Sequence, residues 1–457
     1  MRMKGVGLGL SGGGHRASLF ALGVLIYLGD AGKLPDVTSI ASVSGGSLTN
    51  GYIAQTLDVT KAADGRAFDE AVRPLARQLA QHGTLFASGL TWAYLALLVL
   101  TGLIALVGPW FVPVPGILQS LIFVGAVLLW AGYVAGRRSW IAARAFRKTL
   151  FSPGGSPTLL RDVNGAADHI FCTTDLQSAE NVYFSKSFVY GYRFGVGVAG
   201  DLPLHDAVQA SACLPGAFPP RWFRTDRHRF QPPKRADDVP AASASTQSAK
   251  TPTQMVLTDG GVYDNMADEW GMNFRGRATS WPALTESHHQ PEDLIVVNAS
   301  AGLEWVPFKR SRIPGLGEFF ALLKVKDVLY DQTTAVRRRL LDLMARQVAR
   351  TDDGMRVALV SIAQSPYRVA KRFVPYDDEA GARAKSVLAA LGDTEEAWKQ
   401  DAALSAGEKT SLSKMGTESS ARLLHHAYVL AMANLHVTLD YPLLDVPDRE
   451  RFVRLVS

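Results

Sequence analysis

The sequence predicts an α/β fold on a mostly parallel sheet. Two observations carry this. The first 60 residues alternate: an apolar run at residues 5–10, a helical run Ala17–Leu28, a β-branched run Val37–Val43 and a helix-like run Leu48–Leu57. Apolar strand-like runs then return at His169–Thr174, Asn181–Phe184, Met255–Thr258, Asp293–Asn298 and Arg356–Ile362, with Phe188–Tyr190 a shorter candidate. Helices between successive strands are what a parallel pair needs for its crossover.

Each early element is bounded by a readable signal. The first strand ends in the glycine loop Ser11-Gly12-Gly13-Gly14-His15-Arg16, and the helix after it stops near Gly29 and Gly32. The second strand runs into Ala41-Ser42-Val43-Ser44-Gly45-Gly46-Ser47. A serine among small residues at a strand-to-helix turn has the layout of a nucleophile elbow, where bulky neighbours would clash. The usual pattern is Gly-x-Ser-x-Gly; Ser42 stands in the first glycine place and Gly46 in the second. Taken alone, such a stretch is also an ordinary turn.

A segment of another kind follows. From Gly83 to Gly136 there is no charged residue. Two apolar runs, Gly89–Val112 and Gly116–Gly136, are joined by Pro113-Val114-Pro115, and each is near the ~20 residues that span a bilayer. Trp92, Tyr94, Trp110, Trp130 and Tyr133 fall near the run ends. Arg73 and Arg77 precede, and Arg137, Arg138, Arg144, Arg147 and Lys148 follow. Basic flanks and an uncharged turn predict a transmembrane hairpin over residues 85–137 with both ends in the cytoplasm. A buried helical pair, an oligomer contact and a re-entrant hairpin are the alternatives.

Leu204–Ala212 reads as a short helix stopped by Leu214-Pro215 and Phe218-Pro219-Pro220. Gln231–Thr253 turns to Pro, Ala, Ser, Thr and Lys, the composition of a flexible surface insertion. Leu316–Val348 and Ser419–Val437 read as helices. The expected units are 1–80 and 150–310 as two halves of one catalytic domain, 231–254 as the insertion within it, and 311–457 as a mainly helical region packing on it.

Bulk properties narrow the function. With 47% hydrophobic residues, the 457-residue chain can bury a large core. A net charge of +6, spread without a binding motif, gives no reason to expect nucleic acid. Cys172 and Cys213 sit in apolar settings, which fits neither a disulfide framework nor a zinc site. The glycine-rich start after Met1 reads as a strand rather than a signal-peptide core.

Three stretches carry chemistry. Consecutive glycines at Gly12, Gly13 and Gly14 let backbone N–H groups face a common hollow beside a helix N-terminus, a geometry that holds an oxyanion. Gly7, Gly9 and Gly12 formally fit a dinucleotide fingerprint with Asp30 further on, but the first two lie inside the strand, and no Walker lysine follows. Ser44 is the candidate nucleophile, with the elbow amides as further donors. Asp259-Gly260-Gly261 puts an acid at a strand's carboxyl end, where ligands of open α/β sheets gather. A Ser-His-Asp triad would have to use His425, His426 or His436, all in a helical tail.

In this order, Gly12-Gly13-Gly14-His15-Arg16, Ser42-Val43-Ser44-Gly45-Gly46 and Asp259-Gly260-Gly261 resemble the motifs of the patatin-like phospholipase family. The stretch Asp206–Pro220 is similar to the segment before the family's acid strand, and parts of the tail, Thr410–Leu412 and Arg422–Tyr428, are weakly similar to bacterial members. The resemblance implies a three-layer α/β/α domain that the hydrophobic hairpin interrupts. It implies a Ser-Asp dyad, with Ser44 as nucleophile, Asp259 as general base, Gly12, Gly13 and Gly14 as the oxyanion hole, and Arg16, Gly45 and Gly46 in support. It implies no cofactor or metal, and a phospholipid or other acyl-lipid ester as substrate, hydrolysed at a membrane. Ser42 departs from the motif, so an inactive patatin-like membrane scaffold or lipid-binding protein is the alternative.

Overall fold

The computed structural model describes residues 5–62, 65–152, 155–231, 252–274, 276–277, 281, 290–300, 316–348, 354–392 and 395–457. Most of the segment expected to be an insertion, residues 232–251, lies outside them. Ten strands form one sheet among the described residues: β1 (Val6–Leu10), β2 (Val37–Ser42), β3 (Asp168–Asp175), β4 (Glu180–Phe184), β5 (Val189–Gly191), β6 (Gly195–Gly197), β7 (Arg221–Arg224), β8 (Gln254–Asp259), β9 (Asp293–Asn298) and β10 (Arg356–Ser361). The centre is parallel in the order β10-β9-β1-β2-β3. Beyond β3 the sheet continues as an antiparallel meander through β4, β5 and β6, whose short connections permit nothing else.

One register positions the site. β2 pairs with β3 as far as Ser42 opposite Phe171. β8 pairs with β3 in the opposite sense, Asp259 opposite Thr173. The other edge of β3 is occupied by β4 from Phe171 to Asp175. So β2 and β8 share one edge of β3, and their carboxyl ends meet head-on. The sequence puts Asp259 at a strand's carboxyl end; the structure brings that end to the end of β2 by an antiparallel strand.

Among the described residues, the helices of eight or more residues are α1 (Gly14–Asp30), α2 (Gly45–Thr56), α3 (Gly65–Arg77), α4 (Gly89–Val107), α5 (Gly116–Leu129), α6 (Arg138–Thr149), α7 (Leu204–Ser211), α8 (Leu316–Val348), α9 (Pro366–Phe373), α10 (Glu379–Leu391), α11 (Glu395–Ala406), α12 (Thr417–Leu439) and α13 (Arg449–Val456). Strand alternation separates two apolar faces. Leu8, Leu10, Ile40, Ile295 and Val297 point into the larger core with α1, α2 and α12. Leu294, Val296 and Val357 point the other way, to Met266 and to Leu341 of α8, while Ala41, Ile170 and Cys172 meet Trp270 on that same side. This gives the three layers.

The region after residue 311 is woven into the domain. It supplies β10 to the sheet, and α12 lies along α1, where a Cβ on Gly23 would fall 2.5 Å from the Leu424 carbonyl oxygen. Phe20 of α1 sits 6.0 Å from the His426 ring of α12, and Tyr27 meets Tyr428 edge-on at 5.6 Å.

The two apolar runs form an antiparallel helical pair that leaves this body. Tyr94 Oη donates to the Val134 carbonyl at 2.8 Å and Trp130 Nε1 to Leu98 at 3.1 Å near the base. Gln119 Nε2 donates to the Trp110 carbonyl at 3.0 Å near the tip. α5 buries no residue at all, and Val99, Leu103, Leu121 and Leu129 are exposed. Gly89–Phe111 is 23 residues, or roughly 35 Å of helix, enough to cross a bilayer core.

Candidate active site

Ser44 caps the N-terminus of α2 with φ 50° and ψ −115°. A serine held there is strained by about 1–3 kcal/mol, which the surroundings must offset. They do so with hydrogen bonds. Val43 N–H donates to the Leu10 carbonyl at 3.0 Å, Gly46 N–H to Ser11 at 3.1 Å, and Ser44 N–H to Ser211 Oγ at 3.1 Å. Gly45 is compulsory: a Cβ there would lie 2.1 Å from the Gly14 carbonyl oxygen. Elbow and glycine loop are thus pressed backbone to backbone. Ser44 itself is half-buried.

The Ser42 departure is accounted for by a buried polar ladder. Ser42 Oγ donates to the Ile170 carbonyl at 3.1 Å and accepts from Asn50 Nδ2 at 2.8 Å. Ser47 Oγ lies 3.0 Å from Ser42 Oγ and 2.9 Å from Ser211 Oγ, and Ser211 Oγ donates to Cys172 O at 2.7 Å. Asn50 Oδ1 in turn meets His169 Nδ1 at 2.7 Å. Burial lowers the His169 pKa to about 4, so the ring is neutral at physiological pH. Glycine at 42 would leave Asn50 and Ser47 short of a partner in the core.

The Asp259 turn is tied to the same point. Ser44 N–H and Gly260 N–H both donate to the Ser211 carbonyl, at 3.2 and 3.3 Å. Asp259 is buried; its Oδ1 accepts from Gly261 N–H at 2.8 Å, and its N–H donates to the Cys213 carbonyl at 3.0 Å.

The glycine loop is read more finely than its sequence allows. Gly13 (φ 137°) and Gly14 (φ 60°) adopt backbone that side chains resist. The Gly12 N–H donates to the Asn265 carbonyl at 3.0 Å, which commits it elsewhere than an oxyanion. The amides of Gly13, Gly14 and Gly45 have no such bond among the described residues. Arg16 is buried and donates to the carbonyls of Glu408 at 2.6 Å and Ala406 at 3.3 Å, so it braces the loop against the C-terminal region. His15 does likewise, between the Ser413 carbonyl at 2.7 Å and Thr84 Oγ1 at 2.9 Å; burial lowers its pKa to about 4.

Three contributors have no role in the sequence reading. Ser211 joins elbow and acid turn, and lies in a stretch whose resemblance is noted without a role for it. Asn265 stands between the loops: its Oδ1 is 2.4 Å from a Cβ built on Gly12 and 2.6 Å from one on Gly261. Tyr330 of α8 brings its ring to 2.6 Å from that same Gly261 position, with a buried hydroxyl lacking a partner among the described residues. Its distance in sequence hides it. The three tail histidines lie elsewhere: His425, His426 and His436 bond the carbonyls of Pro447, Ile362 and Tyr441.

A family model described as patatin-like phospholipase matches residues 8–267, more than half of the chain. The chain belongs to the patatin-like phospholipase family. The match runs from within β1 through the hairpin to the Asp259 turn, so in this patatin-like chain the three motifs fall inside it. Comparison with curated proteins gives no match. Among solved structures, the chain is similar to human GIVD cytosolic phospholipase A2 in complex with methyl gamma-linolenyl fluorophosphonate and terbium chloride, at 12% identity and TM-score 0.40, over 99% of this chain and 60% of that one. A second structure of human GIVD cytosolic phospholipase A2 is similar at 14% identity and TM-score 0.33, over 69% and 50%. VipD from Legionella pneumophila is similar at 13% identity and TM-score 0.24, over 99% and 90%. These scores are too low to carry an argument, and the chain spans only 50–60% of the length of the phospholipase structures.

Proposed function

We propose that the protein is a membrane-attached serine acyl hydrolase acting on phospholipid or lysophospholipid esters, with Ser44 as nucleophile and Asp259 as general base. The observation that carries this is the head-on meeting of β2 and β8, with Ser44 and Gly260 amides on one carbonyl oxygen, that of Ser211. In the reaction, Ser44 Oγ attacks the ester carbonyl carbon while Asp259 takes its proton. The amides of Gly13, Gly14 and Gly45 receive the oxyanion, each such donor being worth about 3–4 kcal/mol where one has been removed from an acyl hydrolase. The tetrahedral intermediate collapses, Asp259 returns the proton to the leaving alcohol, and water then releases the fatty acid by the reverse sequence.

The hairpin supports the membrane part of this reading, because nothing in the described structure covers its apolar surface. Its two roots also touch the site. Thr84 bonds His15 beside the glycine loop, and Ser139 bonds the Pro219 carbonyl and lies 3.7 Å from Cys213 Sγ, next to the carbonyl that holds Asp259. The catalytic body would face the cytoplasm, on the side of the basic flanks.

The test is hydrolysis of lipid esters by wild type, Ser44→Ala and Asp259→Asn, with fluorophosphonate labelling of each. Loss of activity in both variants, and of labelling in Ser44→Ala, is expected. An active Ser44→Ala protein sinks the assignment; a wild type that binds vesicles but never labels favours the inactive scaffold.

A further inference from the structure

The helix leaving the hairpin has two faces. Ile141, Ala142, Ala145 and Phe146 of α6 are buried in the body. Arg137, Trp140 and Arg144 are exposed on the other side. The Arg137 guanidinium lies 4.6 Å over the Tyr133 ring, and that of Arg144 4.4 Å over the Trp140 ring. No carboxylate among the described residues forms an ion pair with either arginine. Stacking engages only the face of a guanidinium, so the N–H edges stay available as a fork. Such a fork fits a phosphate oxygen pair.

We propose that Arg137 and Arg144, each stacked on an interfacial aromatic ring, form a binding site for anionic phospholipid headgroups at the exit of the hairpin. This rests on the hairpin being inserted in a bilayer. If the hydrocarbon core ends near Gly136, Arg137 enters the headgroup layer at once, and Arg144 lies roughly 12 Å beyond Gly136 along the helix, still within about a Debye length of the lipid phosphates. Lys148 lies roughly 18 Å out, beyond that reach. A zwitterionic lipid offers the same phosphate but carries its own cation, so the preference is for net negative headgroups. The buried face of α6 abuts α7, which carries Ser211. Lipid held on the outer face is therefore held beside the catalytic loops.

The experiment uses the full chain carrying Ser44→Ala, so that lipid is not consumed. It is reconstituted in phosphatidylcholine vesicles with 30% phosphatidylglycerol, a composition chosen for the test. Spin-labelled phosphatidylglycerol and phosphatidylcholine report which lipid the protein immobilises. We expect a phosphatidylglycerol preference of roughly 5-fold per arginine, abolished in Arg137→Gln/Arg144→Gln, collapsed by molar salt and retained in Lys148→Gln. Equal immobilisation of the two lipids by the Ser44→Ala chain with both arginines intact overturns the site, as does a double variant that keeps the preference. A protein stripped from the vesicles by carbonate wash overturns the hairpin reading beneath it instead.

Discussion

The chain contains two apolar helical pairs with opposite fates. α1 and α12 are packed so tightly that Leu19 through Leu28 are fully buried. α4 and α5 are more apolar still, yet α5 buries nothing. The difference lies in what surrounds each. α1 is laid between a sheet face and α12, and its small residues let α12 approach to backbone contact. The hairpin has only itself, closed at base and tip by hydrogen bonds from Tyr94, Trp130 and Gln119 to carbonyls. Apolar content alone sets how badly a helix needs a partner, while the chain around it decides whether protein or lipid supplies one.

The largest expected effect divides the pairs outright. Replacing residues 89–134 with a short Gly/Ser linker keeps Thr84 and Ser139 at their posts. Such a protein should no longer sediment with vesicles, while its melting temperature stays within a few degrees of wild type, since the hairpin gives little to the core. A deletion variant that remains vesicle-bound, or that does not fold, would show the pairs are not separable. The mirror change is Phe20→Ala in α1. It empties a fully buried ring site and should cost about 3–5 kcal/mol in denaturant unfolding, without altering vesicle binding by the folded protein. A loss below about 1 kcal/mol would mean that the α1–α12 seam is loosely packed.

Much of this was legible in the sequence. Strand runs and the glycine loop were readable because period-two burial and glycine clustering are local signals, and the hairpin because no charge interrupts it. Ser44, Asp259 and the glycines are candidates that a local motif proposes. What was hidden depends on contacts distant in sequence. Ser211 acts only because β2 and β8 meet beside it, and Asn265 and Tyr330 only because their segments fold back over Gly261. The use of Gly12 N–H by Asn265 is invisible for the same reason. The Ser42 departure looked like weakness in the motif; its explanation is Asn50, Ser47 and Ser211, which no pattern around position 44 reveals.

A smaller effect reports on the α1–α12 seam by pH. His426 is buried against Phe20, its Nε2 bonded to the Ile362 carbonyl at 3.0 Å, and burial lowers its pKa to about 4. An unfolded histidine titrates near 6.5, so between about pH 6.5 and 4 the unfolded chain binds the extra proton. This contribution is therefore fully present above about pH 6.5 and is lost as pH falls toward 4. At pH 5 the loss amounts to about 2 kcal/mol. Comparing unfolding at pH 7 and pH 5, His426→Gln should lose about 2 kcal/mol less than wild type. An identical pH dependence in the two proteins would place the ring in contact with solvent. No counterpart exists in the hairpin, which has nothing to titrate at this pH.

The smallest effect is the sharpest comparison, because one methyl group is added to each pair. At Gly23 the new Cβ would lie 2.5 Å from the Leu424 carbonyl oxygen and 2.7 Å from Ala427 Cβ. Backbone cannot turn aside, so α1 and α12 must part, and Gly23→Ala should cost about 1–3 kcal/mol despite the better helix propensity of alanine. At Gly102 the new Cβ meets only the Trp130 ring, at 3.2 Å. A ring on this outward-projecting pair can tilt by a few tenths of an ångström, and the gain of up to about 1 kcal/mol in propensity offsets the crowding. Gly102→Ala should therefore change thermal stability in detergent by less than about 0.5 kcal/mol. If both variants lose equally, the hairpin is packed as rigidly as the core, and lipid is not the solvent that completes it.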